Sequence, residues 1–276
     1  GYYTPEVLAN DASLRTYGAI LLSECIDLKY SGYGVLPPSE AYVSSERGVG
    51  LIRGGDLSLG SIRSPEVFAP VEYRTSRGTA IEGDVLLLIK GACIDEAAGV
   101  GLVTSRQHGL VFNGSCYRIR TNASTDQGFL IAYFLTEFFL LQKRREIANT
   151  GIAYNSEDSV LGYLIPRISH RVQKLIGNAV KDGLQAGEHS ADLIVCAKLL
   201  VEALIEGHLT ESELKVAQEA LEHGDRGPDR AILARLTRKG IDVPGEPPLF
   251  PDLDALYRAI DQVNETGIFP DQGANL

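Results

Sequence analysis

The side chains most able to do chemistry are four cysteines and five histidines, and nothing in the sequence brings a pair of them together as nucleophile and base. Cys25, Cys93, Cys116 and Cys196 are scattered with no C-x-x-C pair, which argues against a zinc site and a disulfide framework. Buried structural thiols are the expectation for Cys25 and Cys116. Leu36-Pro37-Pro38-Ser39 does not fit the Asn/Asp-Pro-Pro-aromatic motif of a base methyltransferase, and no Gly-rich methyl-donor loop accompanies it. Gly54-Gly55-Asp56-Leu57 lacks the Lys-Ser/Thr of a phosphate loop. Glu213-Leu214-Lys215 copies part of a nuclease motif but falls on a helix surface. Neither a metal nor a cofactor is expected. Two loops carry a different chemistry: Tyr73-Arg74-Thr75-Ser76-Arg77 and Ser105-Arg106-Gln107-His108 hold the donors that bond phosphates and base edges in a groove. Taken singly, each Arg reads first as a solvated surface charge, and His108 as a loop residue rather than a ligand.

The elements that would position these loops are short strands. Gly83–Leu102 is the organising stretch. Gly83-Asp84 is a turn signal, and Val85 to Ile89 is an unbroken apolar run that reads as a strand buried on both faces. Gly99 to Val103 starts a second strand. Leu51-Ile52-Arg53 predicts a strand running into the turn Gly54-Gly55-Asp56, and Leu110 to Phe112 a strand followed by a turn. Cys116-Tyr117-Arg118-Ile119-Arg120 alternates strictly, which predicts a half-exposed strand with Tyr117 and Ile119 on one face. Gly128 to Ala148 predicts one helix with Lys143-Arg144-Arg145 in its last turns, where cations suit the dipole.

From about Ser169 to Gly207 the apolar spacing becomes 4,3 along Val172, Ile176, Ala179, Gly183, Ala186, Ser190, Leu193, Ala197, Leu200 and Leu204. That is nearly a coiled-coil seam, with small residues in its first half allowing close approach. The partner lies either in another chain or in this chain's own C-terminal helices. Thr210 with Glu213 fits a capping box before a short helix, and Pro228 starts another that Gly240 stops. A Pro-rich linker from Pro244 to Pro251 and a last helix over Asp252–Val263 complete the tail. The fold class is therefore α+β. A mixed, β-rich domain over 1–168 is followed by a long coiled-coil-type helix over 169–207 and a small acidic helical extension over 208–276.

A chain of 276 residues with 44% hydrophobic content can build sizeable cores. No apolar run approaches the roughly 20 residues of a membrane helix, and the opening residues do not read as a secretory leader. The scattered cysteines suit a reducing cytoplasm. The net charge of −10 does not advertise nucleic-acid binding. It is uneven, though: residues 1–168 hold 15 Lys+Arg against 18 Asp+Glu, and residues 169–276 hold 11 against 18. The acidic excess is mostly C-terminal. The sequence contains no Met, even at position 1. The natural chain is expected to begin otherwise and to hold residues that this sequence omits; an intact mass of 29.8 kDa would refute that expectation.

In order and spacing, several pieces resemble the target recognition domain of the specificity subunit of type I restriction-modification systems. They are Leu51-Ile52-Arg53-Gly54-Gly55-Asp56-Leu57, Gly83-Asp84-Val85-Leu86-Leu87 with Lys90-Gly91-Ala92, and Asn113-Gly114-Ser115 before Tyr117-Arg118-Ile119-Arg120. The helix from Gly128, Thr150-Gly151 and Leu164-Ile165-Pro166 follow, and the long helix resembles the family's spacer. The resemblance covers roughly residues 15 to 207. That family usually carries two such domains and two spacers in one chain; here there is one of each, and the tail lies outside the pattern.

The resemblance implies a non-catalytic protein that reads one half of a split site in double-stranded DNA. It would dock methyltransferase (modification) subunits and a restriction subunit. A half-length chain would pair as a homodimer through the long helix on a palindromic split site. The residues implied for DNA contact are Arg53, Arg63, Arg74, Arg77, Lys90, Arg106, Gln107, Arg118, Arg120, Lys143, Arg144 and Arg145. Those implied for the partner helix are Val172, Ile176, Ala179, Ala186, Leu193, Ala197, Leu200 and Leu204. Two alternatives stand beside it: a protein-interaction scaffold with no sequence-specific DNA reading, and an unrecognised hydrolase.

Overall fold

The computed structural model describes residues 4–92, 94, 96, 99–147 and 152–238. It divides into two units, Gly1–Asp182 and Gly183–Leu276.

The first unit opens on a helix the sequence reading did not anticipate, α1 (Pro5–Thr16), with Pro5 at its start. Then come β1 (Ile20–Leu21), the single turn α2 (Leu22–Cys25), β2 (Gly32–Tyr33) and β3 (Gly48–Ile52). The hairpin β4 (Leu57–Ser58) and β5 (Ser61–Ile62) leads to β6 (Phe68–Pro70), β7 (Val85–Leu88), β8 (Val100–Leu102), β9 (Val111–Phe112) and β10 (Cys116–Ile119). Helices α3 (Gln127–Phe134), α4 (Glu137–Arg145) and α5 (Glu157–Leu161) follow, and β11 (Leu164–Ile165) returns to pair with β1.

The run from Val85 forms the centre, as its composition demands. β7 lies between β10 and β8 in an antiparallel sheet of order β2-β10-β7-β8, and all four of its residues are buried. Beside it a mixed sheet, β6-β3-β9, pairs β3 and β9 in parallel. Ile52, Leu86, Phe112 and Cys116 from the two sheets meet in one core.

Two expectations fail here. β10 is not half-exposed: it lies between β2 and β7, and Cys116, Tyr117, Arg118 and Ile119 are all buried. The 128–148 stretch is two helices, not one. The chain breaks at Leu135-Thr136, where the Thr136 hydroxyl accepts from Phe139 N and caps α4. The break turns Phe139 back onto Phe134, the rings stacking 4.2 Å apart.

Helix α6 (His170–Ile205) spans the predicted long segment to within two residues at either end. Its first turns are seated on α3. Gln173 Oε1 accepts from Asp126 N at 3.0 Å, and Lys181 pairs with the Asp126 carboxylate at 3.0 Å. Gly177 meets Gly128 so closely that a Cβ at Gly128 would lie 2.5 Å from the Gly177 carbonyl oxygen.

In the second unit α7 (Glu211–Glu222) and α8 (Gly227–Arg238) pack with the end of α6 around Ala203, Leu209, Ala217, Ile232 and Leu236. The Thr210–Glu213 capping box forms as expected. Gly240, the Pro-rich linker and the 252–263 helix lie outside the described residues. Among the described residues no helix is long and apolar enough to cross a membrane.

Candidate nucleic-acid interface

Both polar loops singled out by sequence lie in the first unit, and hydrogen bonds tie them together. Arg74 Nε donates to the Gly109 carbonyl at 2.9 Å, and Gly109 N donates to Ala80 O at 2.9 Å. His108 Nδ1 accepts from Glu82 N at 3.3 Å. The segments 74–82 and 105–109 therefore form one surface, with Arg74, Arg77, Arg106 and His108 exposed on it.

Two of the residues expected on that surface hold it up from beneath. Arg118 is 2% exposed. Its Nε donates to Tyr30 O at 2.6 Å, and Nη1 donates to Thr79 O at 2.7 Å. Longer bonds of 3.4 Å reach Ser76 O. The planar fork lets one side chain on β10 collect carbonyls from two loops, which an ammonium cannot do. Gln107 is also buried: its Oε1 accepts from Thr104 N and Oγ1, and its Nε2 donates to Ile62 O at 3.0 Å. That last bond joins the Arg106 loop to the β4–β5 hairpin. Neither side chain is available to DNA, so the expectation for Arg118 and Gln107 as contact residues is corrected to one of positioning.

Beneath Arg118 lies a carboxylate the sequence reading did not single out. Asp84 is buried and accepts from Arg120 through both oxygens, at 2.7 and 2.8 Å, and from Ile81 N at 3.0 Å. Arg118 Nε is 3.9 Å away from it. The hydrogen-bonded Asp84 carboxylate raises the Arg120 guanidinium above its ordinary pKa, whereas burial lowers that of Arg118. A pointer was present in the sequence: arginines two apart on one strand face, with an aspartate at the mouth of the buried neighbouring strand.

The remaining candidates divide. Arg63 is exposed, and its guanidinium donates to the Gly55 carbonyl. Arg53 is half-buried beside Asp56, at 3.8 Å. Lys90 is exposed and pairs with Tyr154 in an isolated bridge. The basic run at the end of α4 is not one patch. Lys143 is 1% exposed, and its Nζ donates to Leu88 O at 3.0 Å at the end of the central strand. Arg145 bonds Asp11 of α1 at 2.6 Å and Glu146 at 2.7 Å, and Arg144 reaches Glu137 at 2.6 Å. Lys143 is thus withdrawn from solvent, with its ammonium donating to the last carbonyl of β7.

On α6 the seam is divided too. Leu200 and Leu204 pack into the core of the second unit, the own-chain alternative. Val172 and Leu193 are 43% and 47% exposed, Ala179 and Ala197 are exposed, and Ile176 and Ala186 are half-buried.

The reactive side chains are placed as the sequence implied. Cys25 and Cys116 are buried, and burial pushes the Cys116 thiol up to about 12, the opposite of an activated nucleophile. Cys93 lies outside the described residues. Glu213 serves as a cap and pairs with Arg235 at 2.7 Å, which accounts for it without nuclease chemistry. Among the described residues no group of three His, Cys, Asp or Glu could hold a metal ion.

No protein-family model matches the chain, and no curated protein matches it. Several solved structures are similar to it, three of them as follows. One, described as a complex of the type I R-M system, has 17% identity and a TM-score of 0.45 over 84% of this chain and 50% of that one. The HsdS subunit from Thermoanaerobacter tengcongensis has 19% identity and a TM-score of 0.43 over 81% and 52%. The type I restriction-modification S subunit from M. genitalium has 14% identity and a TM-score of 0.47 over 74% and 47%. The chain thus spans about half the length of these proteins, and the likeness is distant.

Proposed function

We propose that this chain is a non-catalytic DNA-specificity subunit of the type I restriction-modification kind, reading one half of a split site in double-stranded DNA. In this reading 1–168 is the recognition domain, 169–207 the spacer and 208–276 an acidic extension. Methyltransferase subunits, and a restriction subunit, dock on the helices, and a second copy pairs along the exposed part of α6. The assembly works in the cytoplasm. The carrying observation is the joined loop surface: Arg74 bonded to Gly109, with Arg118 and Gln107 bracing the loops that expose Arg74, Arg77 and Arg106. Spending two buried polar side chains to fix an arginine-bearing loop pair suits recognition, where loop geometry must be set before the ligand arrives. The acidic total is tolerable because DNA responds to the local patch, and partners can bring the rest of the clamp.

Affinity for duplex DNA measured across salt, with the modification subunit present, tests this. Each neutralised phosphate contributes about −0.9 to the slope of log affinity against log salt. The joint variant R74A/R77A/R106A should flatten that slope by about two to three. An unchanged slope would remove the loop pair from the interface. The scaffold reading keeps one observation of its own, the exposed apolar residues of α6 such as Leu175 and Ile194. A chain that binds the modification subunit but shows no salt-dependent DNA binding would establish it.

A further inference from the structure

The β4–β5 hairpin closes on Leu59-Gly60, and both residues have positive φ, 50° and 96°. A two-residue turn of this kind is normally built from Asn-Gly, Asp-Gly or Gly-Gly, because a side chain on the left-handed backbone is strained. Leu59 is the one non-glycine residue with positive φ among the described residues. Burial does not account for it: Leu59 is 59% exposed. A leucine that the turn disfavours and the core does not use calls for another role.

The turn is also held firmly. Gly60 N donates to Val100 O at 2.9 Å, and Leu102 N donates to Gly60 O at 2.8 Å, pinning the tip to β8. Ser61 Oγ bonds Ser58 O at 2.7 Å across the hairpin. At its base, Arg63 N bonds Asp56 O at 2.9 Å, and the Asp56 carboxylate accepts from Arg53 N at 2.7 Å. The Gln107 bond to Ile62 O ties this hairpin to the Arg106 loop. Leu59 is thus displayed, pre-set, on the same hydrogen-bonded set of loops as the candidate arginines.

We propose that Leu59 is a specificity-determining residue, making an apolar contact with base edges of the DNA site. The matching group is the thymine 5-methyl, the one apolar group that base pairs present in the major groove. This rests on the DNA-reading function proposed above. Arginines place the chain on phosphates without regard to sequence; a rigid apolar tip on the same bonded set of loops distinguishes a methylated edge from a bare one.

The test is a double cycle on the full chain with its modification subunit, using the duplex that wild type enriches from a random pool. One arm is Leu59→Gly, which relieves the backbone strain and so should melt no lower than wild type. The other arm replaces each dT in the duplex with dU, deleting only the methyl. One dU should weaken wild-type binding about fourfold, the worth of a single buried methyl-sized group of about 0.8 kcal/mol. Leu59→Gly should weaken binding by at least as much, and the same dU should then cost nothing further. Independent, multiplying losses would overturn the proposal, as would a Leu59→Gly chain that binds the duplex as wild type does. If that variant instead loses the modification subunit, Leu59 is a protein contact and the proposal also fails. A wild-type chain that enriches no duplex overturns the DNA reading itself, and this proposal with it.

Discussion

Arg118→Met removes the brace beneath the loop surface while keeping most of the side-chain volume. Two short charge-assisted bonds are lost, to Tyr30 O at 2.6 Å and Thr79 O at 2.7 Å. The two 3.4 Å bonds to Ser76 O are at the long limit and count for little. Hydrogen bonds to a charged group contribute about 1.5–3 kcal/mol each, so the loss is about 3–6 kcal/mol. Methionine recovers part of this by avoiding guanidinium desolvation, which sets the expectation at about 3–5 kcal/mol. For a unit of this size that lowers the melting temperature by about 10 °C. The chain has no Trp, so urea unfolding is followed by circular dichroism. The midpoint should fall with the denaturant slope unchanged. Arg118→Lys should recover less than half, because an ammonium cannot fork between Tyr30 and Thr79. A loss below about 1 kcal/mol for Arg118→Met would refute the brace.

Other consequences are equally direct. Gly177→Ala places a methyl 1.8 Å from Asp126 Oδ1, which caps α3, and should cost about 1–3 kcal/mol in thermal melts. Gly183→Ala, with nothing within 4 Å, should instead stabilise α6 by about 0.5–1 kcal/mol. The Arg235 guanidinium and Thr210 hold Glu213 at about 2, below its ordinary 4.5. Its contribution is therefore present above about pH 4.5 and lost as pH falls toward 2. Helical melts at pH 6 and pH 3 should differ less for Glu213→Gln than for wild type. Cys25 and Cys116 should resist alkylation at pH 8 until the chain unfolds, read by peptide mass spectrometry, since burial raises both thiols.

Period and turn chemistry made much of this fold legible. The apolar run from Val85, the glycine-bounded turns and the Thr210–Glu213 box each depend on neighbours in sequence, and each formed. What escaped depends on neighbours in space. Alternation at Cys116–Arg120 gives the faces of a strand but not how many strands flank it, so Arg118 read as exposed when its carbonyl partners come from residues 30, 76 and 79. Lys143 read as a dipole-matching cation, while the Leu88 carbonyl that it bonds inside the domain is 55 residues away. The helix break at Thr136 was within reach, since a Thr followed by Glu is a capping signal, but the apolar run across it masked the stop. Of the two loops, composition identified the exposed arginines; only the structure shows that Gln107, their neighbour in sequence, faces inward.

In the proposed function this chain reads DNA sequence inside a larger assembly. The measurement that addresses it most directly is selection of duplexes from a random pool by the chain with its cognate modification subunit, sized by light scattering. The expected result is an assembly with two copies of this chain that enriches a split palindrome. An assembly that forms but enriches no sequence would contradict it.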